Sequence, residues 1–366
     1  MRSPGPAAAV LGARALNRAF LARQLLLERH ALSPEAAIEH LVGMQAQEPQ
    51  APYVGLWARL KDFQPDQLSN LIQERRAVRI AMMRTTIHLV TADDCARLWP
   101  LMRAVHARNF KGSSFSKAIA GVDLDELLAA GRELIVAAPR TRAELGSLLA
   151  ERWHGVDPSS LAYAVSYLTP VVQVPPRGLW RRNGPARWAA ADAWLERQLE
   201  EPSPDELVLR YLRAFGPATV GDLQAWSGLS RLREVADRLA DRLRAFEDEQ
   251  GRELLDVRDG QLPDPATPAP ARFLPPFDNA ILAHADRARI IPPEHRGAVS
   301  GDRLMRTFVV DGVVAGTWRL DGGTIHLTPF RPLRTAERED LVTEAERLIA
   351  FAAPDATERA VRFARA

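Results

Sequence analysis

Apolar residues recur at helical spacing along most of this chain, and the helical stretches are interrupted by short β-rich runs. Leu16, Phe20 and Leu27 mark a helix over Ala13 to Arg29, and Ala37, Ile38, Leu41, Val42 and Met44 mark a second, opened by Ser33-Pro34-Glu35. A serine oxygen can satisfy an orphan amide there, and proline fits the first helical position. Helical pieces over 53–60 and 65–75 lead into the β-rich run Val78 to Val90. Helices followed by a short strand pair is the winged-helix plan, a helix-turn-helix with a hairpin appended.

After a helix capped by Thr91 and running to about Asn109, a polar loop at 111–116 and a helix over 124–137, the same plan recurs. Thr141 caps 142–153, a break falls at 155–158, a helix covers 159–168, Val171 to Val174 forms a strand, and Pro175 to Gly184 makes the turn and return of a wing. A third copy has helices over 204–215, 220–226 and 229–243 and a hairpin over 246–257 with its turn at Asp248-Glu-Gln-Gly251. The pattern predicts a mainly α fold with small β-hairpins (α+β) in three tandem units, 13–138, 139–202 and 203–260, after a loose N-terminus at 1–12. Residues 261–366 add a proline-rich connector, a hairpin over 308–320 turning at Asp311-Gly312, a return strand to Thr328 and a final helix over 335–351. Phe277 to Arg289, dense in Asp, His and Arg, reads as an internal ion-pair network closing the connector onto the body, with phosphate binding as the alternative.

Composition narrows the function classes. A chain of 366 residues, 46% hydrophobic and 26% charged, is an ordinary globular protein. Its net charge is only +2, yet the 48 basic residues are arginine except for Lys61, Lys111 and Lys117. Arginine's planar fork suits phosphate, so a basic face can exist without a basic total. Cys95 stands alone and the histidines show no metal-ligand spacing, so neither a disulfide framework nor a metal or other cofactor is expected. No apolar run reaches membrane-spanning length and the leader is too weak for a secretory signal, which makes a cytoplasmic protein the expectation.

The candidate chemistry lies in Met44-Gln-Ala-Gln47. Residues two apart point about 200° from each other on a helix and share a face on extended backbone. Pro49 biases Glu48 out of the α region. Gln45 and Gln47 therefore act together only if they lie at an unwound helix end. The competing reading is that two amides merely satisfy backbone groups there. Arg84 and His88, in the first β-run, are candidate DNA-facing neighbours; His88 as a hydrogen-bonded structural residue is the alternative. Arg177, Arg181 and Arg182 beside Trp180, and Arg231 and Arg233 on the third unit's last helix, are candidate phosphate contacts.

The arrangement of Met44-Gln-Ala-Gln47, Met83-Arg-Thr-Thr-Ile-His-Leu-Val90, Phe215-Gly-Pro-Ala-Thr219, Pro276-Phe-Asp-Asn279 with His284 and Asp286-Arg287, and Val310 to Trp318 resembles the AlkZ/YcaQ-like winged-helix DNA glycosylases. The resemblance covers about residues 15–352. It implies a C-shaped DNA-binding body of three winged helices and a catalytic Gln-aliphatic-Gln element, carried here by Gln45, Ala46 and Gln47. With glutamine and not an acid at position 47, the resemblance implies the branch whose members unhook bulky adducts, many of which protect producers of alkylating natural products.

The implied activity is monofunctional: hydrolysis of the N-glycosidic bond of cationic N7- or N3-alkylated purines, interstrand crosslinks among them, in double-stranded DNA by a monomer, leaving an abasic site. A glutamine binds no proton near pH 7 but can hold a water by its carbonyl. A cationic purine needs no further protonation to leave. The 308–328 hairpin is a candidate for insertion into the duplex, with a scaffold role as the alternative. Two rivals stay open at this point, a winged-helix transcriptional regulator and a protein that sequesters a toxin.

Overall fold

The computed structural model describes residues 9–299 and 305–364. Helices and three small sheets alternate along it, as the apolar spacing predicts, but the hairpins do not stand as separate wings. A six-stranded sheet runs in the order Met44–Gln45, Ile87–Thr91, Ala77–Ala81, Val171–Val174, Arg187–Ala190, Arg140–Thr141. The β-runs of the first two sets are thus joined edge to edge, Arg79 opposite Gln173 and Ile80 opposite Val172. Alternate residues share a face in such a sheet, yet Val78, Arg79 and Ile80 are all buried, the Arg79 side chain lying against Gly178 of the 175–184 stretch. The third set's hairpin, Leu243–Asp248 with Glu253–Val257, gains a third strand from Val10–Leu11. Residues 10–11, expected to be loose, are therefore ordered by parallel pairing with Glu247 and Asp248; the rest of that expectation, residues 1–8, lies outside the described residues.

Several helices are shorter than their apolar periodicity. Ala13–Arg23 stops before Leu25, which is left-handed at φ 58°. The 229–243 stretch is Leu232–Arg238 followed by a turn of 3₁₀ helix, and 277–289 holds only Asn279–Leu282 and a further 3₁₀ turn at Arg287–Arg289. The 111–116 stretch is not a loop throughout: the preceding helix runs on to Lys111 and Ser114–Ala118 is helical, capped by Ser113. The return strand of the second hairpin begins at Arg187, beyond the 175–184 stretch.

One core runs from the first set through the third to the C-terminal sheet and holds Phe20, Trp99, Tyr211, Phe215, Phe273 and Phe308. Each such side chain, fully buried, contributes roughly 1.5–3 kcal/mol. A second, smaller core of Leu127, Ile135, Leu145, Leu149, Leu161 and Val165 lies among the helices between 124 and 168.

The C-terminal sheet, ordered Arg272–Leu274, Thr307–Val310, Val313–Asp321, Thr324–Pro329, Ala360–Phe363, corrects the wedge reading of the 308–328 hairpin. Its Asp311-Gly312 tip is gripped from the N-terminal helix: Arg14 and Arg18 pair with the Asp311 carboxylate and Asn17 donates to the Gly312 carbonyl at 2.8 Å. A tip held by three side chains of one helix fits the scaffold alternative.

Candidate active site

The helix Pro34–His40 starts as its sequence requires, with Ser33 Oγ accepting from the Ala36 amide at 3.1 Å. It ends well before Pro49. Val42 (φ 55°) and Gly43 (φ 85°) turn left-handed, and the Gly43 amide reaches back to the Ile38 carbonyl at 2.9 Å. A left-handed residue at this position closes a helix, and here a Cβ on Gly43 would sit 2.7 Å from the Val90 side chain. Glycine is required by both the turn and the close approach. The chain leaves it as extended backbone, Met44 paired with Leu89 and Gln45 with His88.

Gln45 therefore stands on extended chain and Gln47 at the bend just beyond it, and both reach the same end of the neighbouring hairpin. The Gln45 Oε1 accepts from the Arg84 guanidinium at 3.1 Å, and the Gln47 Oε1 accepts from the Ile87 backbone amide at 3.2 Å. Both partners can only donate, so the orientation of each amide is fixed by its neighbour. Neither NH₂ group has a protein partner among the described residues. Gln45 is buried and Gln47 is exposed, while Ala46 between them is wholly buried.

The turn that receives them is unusual. Arg84 and Thr85 are both left-handed, at φ 55° and 61°. That conformation costs about 1–2 kcal/mol for an ordinary residue and is worst for a β-branched one. It is held by Asn109, whose side chain donates to Thr85 Oγ1 at 2.6 Å, and by Arg84, which also donates to the Trp226 carbonyl at 2.5 Å. Burial and the nearby Arg287 charge lower the Arg84 pKa to about 10, which leaves it cationic at neutral pH. Arg84 thus ties the first set to the third and points its charge at Gln45.

His88 is not at the surface, as the structural alternative expects. Its ring is buried, and Nδ1 donates to the Thr86 carbonyl at 2.8 Å. Burial first, and the Arg84 charge second, push its pKa down to about 3. Position 88 is an inward place in a strand covered on both faces, which sequence alternation alone does not reveal. The sign of the consequence is definite. An imidazole that stays neutral when folded, and takes a proton near pH 6.5 when unfolded, contributes stability above about pH 6.5 that is lost as pH falls toward 3. Wild-type urea midpoints are expected to drop from pH 7 to pH 4, less steeply in His88→Asn, whose amide can keep the Thr86 contact. Equal slopes in the two proteins would assign that loss to other groups.

The remaining candidates are scattered. Arg177, half-buried, donates to the Gly184 carbonyl at 2.9 Å. Arg181 is exposed and is held by Asp355 at 3.1 Å and the Ala352 carbonyl at 2.7 Å, and Arg182 is exposed beside it. Trp180 packs against Tyr53 and Phe351, and Gln50 binds the Leu179 carbonyl and the Arg181 amide, so this loop is anchored to the body. Arg231 and Arg233 are exposed and paired with Glu234 and Glu253. Exposed pairs are worth at most about 1 kcal/mol and do not prevent exchange for a phosphate.

The sequence missed the clamp behind the motif. Asn279 donates to the carbonyls of Gly43 (2.6 Å) and Leu41 (3.3 Å) and accepts from the Gln45 backbone N–H at 3.4 Å. Its neighbour Asp278 makes a two-pronged, buried ion pair with Arg59. Within 277–289, His284 lies buried against the Phe215 carbonyl and Asp286 pairs with Arg252 and Arg296, so the network reading of this segment describes it better than a phosphate site. The density of Asp, His and Arg over 277–289 signalled such a network, but nothing in the sequence tied Asn279 to the Gly43 turn. Gln47 also stands on the rim of a groove of about 560 Å³ shared with Thr85, Ile87 and Arg177.

Comparison with known proteins gives the class of this enzyme as a DNA glycosylase. Residues 38–351 match the family described as DNA glycosylase AlkZ-like, and the chain belongs to that family. An interstrand DNA cross-link repair glycosylase of Streptomyces sahachiroi is 24% identical over 361 residues, covering 87% of this chain and 91% of the relative. The solved structure of the Streptomyces sahachiroi DNA glycosylase AlkZ superposes with a TM-score of 0.82 at 22% identity, covering 97% of this chain and 100% of that one, and shows a shared fold. Among the described residues no group of three or more His, Cys, Asp or Glu side chains is placed to hold a metal, and no helix is long and apolar enough to cross a membrane.

Proposed function

We propose that this glycosylase is monofunctional and hydrolyses the N-glycosidic bond of cationic N7- or N3-alkylated purines in duplex DNA, leaving an abasic site. The supporting observation is that Gln45 and Gln47 are both oriented by donor-only partners on a single strained turn. Each carbonyl oxygen has two lone pairs, so one remains on each to receive a water proton. Gln47, whose partner is a neutral amide and which reaches solvent, keeps the more basic oxygen and holds the water. Gln45, polarised by Arg84, positions its neighbour and offers its dipole to the sugar as positive charge develops there.

Neither amide can protonate a leaving group, which limits the substrates to bases already cationic. An amine nucleophile for lyase chemistry is missing from the immediate neighbourhood of the motif: Lys61 lines a different cavity, beside Trp57 and Phe351. The relative's name extends the proposal to interstrand crosslinks, and we read the three helix–hairpin sets as tandem winged helices gripping one duplex as a monomer. Incubation with DNA treated with a methylating agent or a nitrogen mustard is expected to yield alkali-labile abasic sites, and untreated or uracil-containing DNA to yield none. Binding of the alkylated duplex with no abasic sites formed would leave a DNA-binding protein in place of this enzyme.

A further inference from the structure

A cavity of about 850 Å³ has no part in the excision chemistry: neither Gln45 nor Gln47, nor the Arg84 and Ile87 that orient them, lines it. It lies where the chain around Leu27 to Arg29, the 57–65 stretch, Trp180 and the C-terminal end of the helix Thr335–Ala352 meet. Its volume falls within the range that holds a small-molecule ligand, roughly 300–1,000 Å³.

The charges around it do not balance. Glu344, buried on that helix, faces three guanidinium groups, Arg29 at 2.6 Å and Arg272 and Arg347 at 3.6 Å each. Arg29 is fully engaged, since it also donates to the Trp57 carbonyl at 3.0 Å and lies 4.6 Å from the centre of the Trp57 ring. Arg272 is not. Its Nη1 donates to the Ala271 carbonyl at 3.1 Å, whereas Nε and Nη2 have no acceptor among the described residues, although the side chain is only 7% exposed. Burial first, with the charges of Arg29, Arg347 and Arg59 acting against the pull of Glu344, lowers the Arg272 pKa to about 10, which leaves it cationic at neutral pH. Arg347 is exposed and has Glu344 as its one partner among the described residues, and the exposed Lys61 ammonium has none. The carboxylates of the lining, Glu28 and Asp62, are exposed and pair with none of these cations among the described residues. A buried donor without an acceptor is costly until one arrives.

The apolar side of the cavity is aromatic. Phe351 joins three rings, Trp180 at 5.4 Å between centroids and Trp57 and Phe63 at 5.9 Å each. Trp57 and Phe63 are buried, while Phe351 and Trp180 are half-buried and line the space.

We propose that this cavity binds a small phosphate monoester that carries a planar ring, a nucleoside monophosphate being the type. The phosphate lies against Arg272, Arg347 and Lys61, and the ring against Phe351 and Trp180. Arginine's fork matches phosphate oxygens, and a dianion supplies the charge that one shared carboxylate lacks.

The test is calorimetric titration of the full-length protein with 1-naphthyl phosphate, with 1-naphthol and inorganic phosphate as partial probes. Wild type is expected to bind 1-naphthyl phosphate one-to-one and more tightly than either partial probe. Arg347→Gln is expected to weaken binding on the order of tenfold, the effect of one charge-assisted hydrogen bond. Arg272→Gln should weaken it at least as much, and Ala350→Trp, which fills the cavity from an exposed position of its lining, should remove it while excision of 7-methylguanine continues at the wild-type rate. Thermal melts identify any variant that fails to fold; Arg347 and Ala350 are exposed, so those two variants carry the test if Arg272→Gln does not fold. No binding of 1-naphthyl phosphate by wild type at millimolar concentration, 1-naphthol bound as tightly as its phosphate, or affinity unchanged in both Arg347→Gln and Ala350→Trp overturns the assignment. Displacement of the probe from wild type by an unmodified duplex overturns it too, and gives the cavity to the DNA interface.

Discussion

Gln47→Ala and Gln45→Ala are each expected to slow single-turnover excision of 7-methylguanine on the order of 10²–10³-fold, taking the loss of one preorganised electrostatic partner as the guide. Duplex affinity should persist, because phosphate contacts carry most of it. The two variants should not be equivalent. Gln47 accepts from the Ile87 amide at 3.2 Å and stands exposed, so its removal deletes the acceptor for water. Gln45 is buried and takes its hydrogen bond from Arg84, so its removal also leaves that half-buried guanidinium with the Trp226 carbonyl and without its second acceptor. The double variant should lose little more than the worse single one, as groups acting as a unit do. Excision unchanged in either single variant would falsify that residue's place in the mechanism, whatever its effect on stability.

The local alphabet of this fold is readable in the sequence. Ser33, Thr91, Thr141 and Thr219 each cap the helix that their position predicts, because capping is decided by a few neighbouring residues. That Gln45 and Gln47 leave the helix was also legible, although for the wrong reason: Gly43 ends it and Pro49 does not. What could not be read were choices made by distant chain. His88 looks polar and half-exposed by alternation, yet every residue from His88 to Thr91 is buried and no short-range signal records what covers the strand. The Asp311-Gly312 hairpin announces its turn and gives no sign that Arg14 and Arg18, some 300 positions earlier, will hold it. Edge-to-edge joining of the first two hairpins escaped for the same reason, since strand pairing across Arg79 and Gln173 is set by packing.

The site's dependence on such distant chain is greatest at Asp278, and its removal is expected to be the most destabilising single change considered. Asp278 meets Arg59 with both oxygens, at 2.7 and 2.9 Å, and neither side chain is more than 1% exposed. Arg59 is otherwise spent on the carbonyls of Gln24 and Gly55. Deleting the carboxylate leaves a cation in the core without its counterion, a change that costs about 3–5 kcal/mol, against a total stability of roughly 5–15 kcal/mol for a typical domain. Asp278→Ala also removes the oxygen that accepts from the Ala280 amide at 2.9 Å, whereas Asp278→Asn can keep that cap and lose only the charge. Urea midpoints should therefore fall in both, further in alanine. The pair itself is not expected to be worth this much, because replacing both partners together by apolar residues of similar volume is often neutral or better, so Arg59→Met with Asp278→Leu should recover much of the loss. The functional consequence separates charge from position. Asn279 clamps the Leu41–Gly43 turn and the Gln45 backbone N–H from the adjoining residue. Folded Asp278→Asn should thus excise 7-methylguanine more slowly than wild type even at temperatures where it is fully native. A folded Asp278→Asn that matched wild type in rate would show that the clamp holds the glutamines without its ion pair.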